Sequence, residues 1–160
     1  MKRLYVISDS HGYRDFDMLL AASRDADAYA HLGDHASDGE EFARKNGKFT
    51  ALVRGNCDPG SLRPDEEVIT LDGVKILLVH GHTLGVKYSL TRLTYRALEL
   101  GAACACYGHT HIADITWQQG VLLVCPGAFS RFSPQYARLD IKNGSACKKM
   151  PVKMSSCDRE

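Results

Sequence analysis

No apolar run of about 18 residues occurs in this chain, so a helix spanning a membrane is not expected. No Cys-x-x-Cys pair occurs either, which disfavours a structural zinc ribbon. An excess of one charge is also missing. Lys and Arg number 20 against 19 Asp and Glu, a formal charge of +1, and that argues against a nucleic-acid partner. Met1-Lys2-Arg3 leads straight into an apolar stretch without a small-residue cleavage site, so no secretory leader is expected. The six cysteines (Cys57, Cys104, Cys106, Cys125, Cys147 and Cys157) then read as reduced thiols of a cytoplasmic protein. Cys104 and Cys106 flank one residue and should point the same way from a strand, as small buried hydrophobes.

What is present fits one soluble domain over 1–154 with a frayed tail at 155–160. Hydrophobic residues make up 44% and charged ones 24%, and a chain of this size buries roughly 70% of its unfolded surface. Leu4–Ile7 reads as a buried strand, and Phe16, Leu19, Leu20 and Ser23 follow helical spacing over 14–25. Ala28–Leu32 is a second strand, Asp38–Arg44 a helix with Asp38 as its N-cap, and Phe49–Val53 a third strand. Strand and helix alternate here as in a parallel sheet with right-handed crossovers.

The pattern then changes. Val68–Leu71 and Val74–Val79 are joined by Asp72-Gly73, a hairpin signal. A helix over 88–100 should turn Leu90, Leu93, Ala97 and Leu100 inward, with Gly101 stopping it. Ala103–Tyr107 is the next strand. Only strands follow: Ile115–Gln118, Val121–Cys125, Gln135–Ile141 and one near Cys147–Val152. Their apolar faces leave room for a homodimer or tetramer.

Polar residues gather where the apolar strands end. Asp9 and His11 follow the first, Asp34 the second, Asn56 and Asp58 the third, then His80 with His82, and His109 with His111. Ligands of open α/β sheets bind outside those ends. On an extended backbone Asp9 and His11 would share one side. Five of the seven histidines fall at such ends. One such histidine is ordinary; five together with carboxylates are a site. Imidazole and carboxylate without thiolate suit Mn, Fe, Ni or Zn. So many ligands exceed one ion's needs, whereas two ions about 3.5–4 Å apart, bridged by a carboxylate, would use them all. Such a pair acidifies a bridging water and clamps the oxygens of an in-line phosphoryl displacement.

Asp9-Ser-His11, Gly33-Asp34, Gly55-Asn56, His80 and Gly108-His109-Thr-His111 resemble, in order, the five motifs of the calcineurin-like metallophosphoesterases. Gly55-Asn56-Cys57-Asp58 and His80-Gly81-His82 are most similar to the small single-domain bacterial and archaeal phosphodiesterases of that superfamily. The resemblance implies a four-layer αββα sandwich of two mixed sheets, with the strand-only final third supplying the second sheet. It implies one ion on Asp9, His11, Asp34 and His111, and another on Asp34, Asn56, His80 and His109. The expected cofactor is two divalent ions, manganese first, with Ni, Fe, Co or Zn as alternatives. The expected activity is hydrolysis of a small phosphodiester by a metal-bridging hydroxide. A phosphomonoesterase and a non-catalytic interaction scaffold on the same fold are the alternatives.

Some positions depart from the family pattern. Larger members carry histidine, read as an acid toward the leaving group, where Cys57 stands, and a thiol with a pKa near 8.5 is a poor substitute. His82 and Asp58 are, with Cys57, the remaining candidates for proton transfer or substrate contact. Cys125-Pro126-Gly127-Ala128 replaces an Asn-Pro-Gly-Ser loop. His31 reads as a packing residue.

Overall fold

The computed structural model describes residues 1–142 and the strand 152–156. Three parallel strands, β1 (Lys2–Ile7), β2 (Ala28–His31) and β3 (Thr50–Leu52), form the heart of one sheet. β1 carries apolar residues on both faces, so both faces must be covered, and it lies inside the sheet with β2 on one edge. The second neighbour is β9 (Gln135–Ile141), antiparallel, and β10 (Val152–Ser156) pairs outside it. The other sheet runs β4 (Glu66–Leu71), β5 (Val74–Val79), β6 (Cys104–Cys106), β8 (Val121–Cys125), β7 (Asp114–Gln118). Its three central strands are parallel and its two edges antiparallel.

Leu4, Val6, Ala30, Ile76, Leu78, Cys104, Cys106, Val124 and Leu139 close the space between the sheets. The helices α1 (Asp17–Ala22) and α2 (Ala36–Asn46) cover the outer face of the first sheet through Phe16, Leu19 and Phe42 against Tyr5, Ile7 and Tyr29. The helix α3 (Thr91–Glu99) covers the second sheet with Leu93 and Ala97. Four layers, αββα, result. Gly101 ends α3 at φ +67°, as its sequence position predicts. Among the described residues no helix is long and apolar enough to cross a membrane.

Four expectations need correction. The final third does not build one sheet: β7 and β8 join the second, while β9 and β10 return to the first. Phe129 makes the crossing, its N–H donating to the Ser8 carbonyl at 2.8 Å. The first helix is only six residues, because Ser23 leaves helical geometry and turns its hydroxyl back onto Leu19 O at 2.6 Å. Asp38 is not a cap. It lies inside the first turn of α2, fully buried, and the turn is capped from outside by Asp58 Oδ1 accepting from Ala36 N–H at 2.8 Å. Ser155 and Ser156, read as tail, pair with Tyr136 and Gln135 in β10. The strand expected over Cys147–Pro151 and the tail 157–160 lie outside the described residues.

Candidate metal centre

Seven side chains meet at the carboxyl ends of β1, β2, β3, β5 and β6. Asp9, His11, Asp34 and His111 form one group of ligand atoms, and Asp34, His80 and His109 a second. Asp34 belongs to both. Its Oδ2 lies 3.4 Å from His11 Nε2 and its Oδ1 3.4 Å from His80 Nε2, so the carboxylate faces the two groups with different oxygens. Asn56 completes the second group, its Oδ1 3.0 Å from His80 Nε2.

Asp9 is held from behind. Its Oδ2 accepts from the Ser8 hydroxyl at 2.5 Å and from His109 N–H at 3.1 Å. Its Oδ1 is buried and has no hydrogen-bond partner, yet lies 3.1 Å from His111 Nε2 and 3.9 Å from both His11 and His80 Nε2. A buried carboxylate oxygen left unpaired is costly, and one facing three imidazoles is relieved by a cation. His80 repeats the arrangement. Its Nδ1 donates to the Leu32 carbonyl at 2.8 Å, which turns Nε2 inward. The nearby carboxylates act on the charge of this ring: burial lowers the His80 pKa, but Asp34 and Asp9 outweigh it and the net shift is upward. For Asp34 burial raises the pKa, and bonds from His80 and the Cys57 N–H (2.9 Å) more than reverse that, leaving it well below the carboxylate range. The donors are imidazole, carboxylate and amide oxygen, a set suited to a borderline or hard divalent ion. The acids are buried while His11 and His111 are partly exposed, so the centre opens to solvent.

The glycine of each motif makes room for a ligand. A Cβ at Gly55 would stand 2.1 Å from Asp34 Oδ1, and one at Gly108 2.7 Å from Asp9 Oδ2. At Gly33 it would stand 2.4 Å from the Gly55 nitrogen, where the ends of β2 and β3 come together. The ligands themselves are not on extended backbone. Asp9, His11, Asp34, His109 and His111 have φ between 44° and 70°. Asp9 and His11 do converge, but through left-handed turns after β1 has ended.

The three other candidates fare differently. Asp58 is committed to the backbone: besides Ala36 N–H it accepts from Gly55 N–H at 2.8 Å, so both oxygens shape the loop. Cys57 is exposed beside Asp34, and burial together with that carboxylate raises its thiol pKa. His82 leaves the extended path at Gly81 (φ +106°) and opens a single 3-10 turn, yet its ring stays 5.4 Å from that of His80 and 6.2 Å from that of His109. Its Nδ1 is buried without a partner.

The model of the calcineurin-like phosphoesterase superfamily domain matches residues 1–144. The chain belongs to that superfamily. A probable metallophosphoesterase of Bacillus subtilis is 37% identical over 147 residues, covering 88% of this chain and 85% of that one. A Streptococcus pneumoniae protein described as a predicted phosphoesterase superposes with a TM-score of 0.79 at 28% identity, covering 99% of this chain and 91% of that one. The Vps29 of Entamoeba histolytica, solved with zinc, shares the fold at 18% identity and a TM-score of 0.73, over 98% and 99% of the two chains. An archaeal phosphodiesterase shares it at 17% identity and a TM-score of 0.67, over 96% and 99%.

The seven side chains singled out in the sequence of this superfamily member do come together, whereas the groups that hold them were not foreseen. The Leu32 carbonyl and the His109 N–H carry no chemical signature in sequence. Ser8 alone left a trace, as a hydroxyl directly after a wholly apolar strand.

Proposed function

We propose that the protein is a phosphodiesterase that works through two divalent metal ions, manganese first among them. One observation carries the reading: Asp34 turns its two oxygens toward two separate imidazole groups, while the buried Asp9 Oδ1 lacks a hydrogen-bond partner and faces imidazole nitrogens. Asp9, His11, Asp34 and His111 would hold one ion, and Asp34, Asn56, His80 and His109 the other. Two such ions supply a water of lowered pKa and a clamp on phosphate oxygens.

The chain's own groups set the preference among substrates. A 520 Å³ cavity beside Cys57 is lined by His35, Ser37, Glu40, Asp58, Ser61 and Leu62 among others, without Lys or Arg. It suits the uncharged second alcohol of a diester better than a further phosphate. Cys57, its pKa raised by burial and by Asp34, keeps its proton at neutral pH and is a weak acid toward a departing alkoxide. Good leaving groups are therefore preferred. Asp58 and Ala36 keep the cavity's floor in place. The archaeal phosphodiesterase on the same fold is consistent with this activity, and Cys57, Cys106 and Cys125 are free thiols, which supports a reducing, cytoplasmic setting.

A scaffold on this fold has no need of ligand-competent side chains at all seven positions. The deciding experiment is turnover of bis(4-nitrophenyl) phosphate with added Mn²⁺, expected in the wild type and abolished in His111→Ala. No turnover with Mn²⁺, Ni²⁺, Co²⁺ or Zn²⁺ would overturn the enzyme reading.

A further inference from the structure

Asp38 lies on α2, away from the ligand cluster, and none of the motifs includes it. Its side chain is fully buried. A buried carboxylate persists only where hydrogen bonds or countercharges replace its water, and here the side-chain hydrogen bonds come from one short loop, with His35 Nδ1 4.0 Å from Oδ2 as a further neighbour. Oδ2 accepts from the Ser10 hydroxyl at 2.7 Å and from the Gly12 N–H at 2.8 Å. Oδ1 accepts from Arg14 Nε at 2.6 Å. Ser10 and Gly12 are the two neighbours of His11, so a single carboxylate from α2 clamps the backbone on both sides of that ligand.

The clamp reaches further. Gly33 N–H donates to His31 Nδ1 at 3.2 Å, which places the proton of the neutral ring on Nε2, 2.8 Å from the Ser10 oxygen. The Ser10 hydroxyl in turn donates its hydrogen bond to Asp38 Oδ2 at 2.7 Å. Gly33, His31, Ser10 and Asp38 thus form one buried line from the residue before Asp34 to the loop carrying His11. Along that line each hydrogen bond has one donor and one acceptor. Tension exists for the line to hold, since His11 itself sits at φ +44°, a conformation side-chain-bearing residues rarely keep unaided.

From this geometry we propose that Asp38 is a positioning residue for His11, and so for the ion that His11 would share with Asp9, Asp34 and His111. The inference rests on the metal-centre reading above. Asp38 touches neither ligand atoms nor substrate; it fixes where the His11 ring stands. Among the described residues His80, Asn56 and His109 share no hydrogen bond with a member of this line; His80 bonds the Leu32 carbonyl, between His31 and Gly33. The two ions should therefore respond unequally when it is cut, and the second ion serves as an internal control for damage to the fold.

The test is Mn²⁺ binding to the full chain, followed by calorimetric titration and by electron paramagnetic resonance, in wild type, Asp38→Ala, Asp38→Asn and Ser10→Ala. The wild type should take up two ions and give the spectrum of a coupled pair. Loss of such an outer contact typically weakens a metal by about 10–100-fold. Asp38→Ala should weaken one ion by that factor, leave the other within about twofold, and replace the coupled spectrum by that of a single Mn²⁺ at low metal. Asp38→Asn, whose amide oxygen still accepts from Gly12, should lose less. Should Asp38→Ala fail to fold, Asp38→Asn and Ser10→Ala decide the matter by the same unequal loss. Equal weakening of both ions, or of neither, overturns this inference while leaving the metal centre standing. A wild type that binds no metal overturns both.

Discussion

His80 Nε2 lies 3.0 Å from Asn56 Oδ1 and 3.2 Å from His109 Nδ1, while its Nδ1 proton is spent on the Leu32 carbonyl. Asp34 Oδ1 stands 3.4 Å from His80 Nε2 as well, so carboxylate, amide oxygen and a second imidazole gather around one point, a donor set that suits a cation. That grouping is a property of the folded chain alone, since in the unfolded chain the groups separate. Filling the point with metal should therefore stabilise the fold.

Metal and heat form the first expectation. A ligand at 100 times its Kd stabilises by about 2.7 kcal/mol, which for a chain of this size raises Tm by roughly 5–11 °C. Differential scanning fluorimetry with and without excess Mn²⁺ measures it. Asp34→Ala, which removes a donor from both groups, should lose most of the rise. An equal rise in that variant would mean that the metal acts elsewhere.

Cys57→His tests leaving-group chemistry. An imidazole at that place has a pKa near neutrality and could give up a proton, which a thiol of raised pKa does poorly. Rates across aryl and alkyl phosphodiesters should improve most for the poorest leaving groups, by about tenfold or more, and hardly at all for nitrophenyl esters. A uniform change across the series would count against the assignment.

The motif glycines should respond as packing rather than as flexibility. Gly55→Ala would drive a methyl group into Asp34 Oδ1, and Gly108→Ala one toward Ser8 Oγ at 2.1 Å and Asp9 Oδ2 at 2.7 Å. Overpacking of this kind costs about 1–3 kcal/mol, and metal affinity should fall as well. Gly47→Ala, with open space around its Cβ position, is the comparison: it should keep its metal affinity even though its own φ of +66° strains it. Urea unfolding and Mn²⁺ titration of the three variants separate the two effects.

Acid should destabilise the fold through His31. Burial pushes its pKa down to about 4, against about 6.5 in the unfolded chain. Between those values the unfolded chain takes up a proton that the folded chain refuses. Stability is therefore whole above pH 6.5 and declines as the pH falls, by about 3 kcal/mol when pH 4 is reached. Urea unfolding of wild type and His31→Gln at intervals over that range measures the contribution, as the part of the pH dependence that the variant loses. Identical pH dependence in the two chains would refute it.

Much of this was legible in the sequence, for identifiable reasons. The alternation of apolar strand and amphipathic helix through Leu52 is a local pattern and gave β1–α1–β2–α2–β3 in order. The clustering of the candidate ligands was legible because imidazole and carboxylate side chains do not collect at strand ends without cause. Long-range pairing was not legible: nothing local in Gln135–Ile141 says that it returns to β1 rather than continuing beside β8. Nor could Asp38 be placed. An acid at the start of a helix looks the same in sequence whether it caps the turn or reaches across to Ser10 and Gly12.

The five left-handed ligand residues carry a consequence for how such a centre is lost. Each gives up roughly 1 kcal/mol or more by standing where glycine would stand freely, and the sheets behind them absorb it. Drift from His11 or His111 to glycine would relieve that strain in the same step that empties the shell. His111→Gly, melted without metal, should outlast the parent chain. A copy released from selection for metal would then slide toward a sturdier and inert protein, one residue at a time.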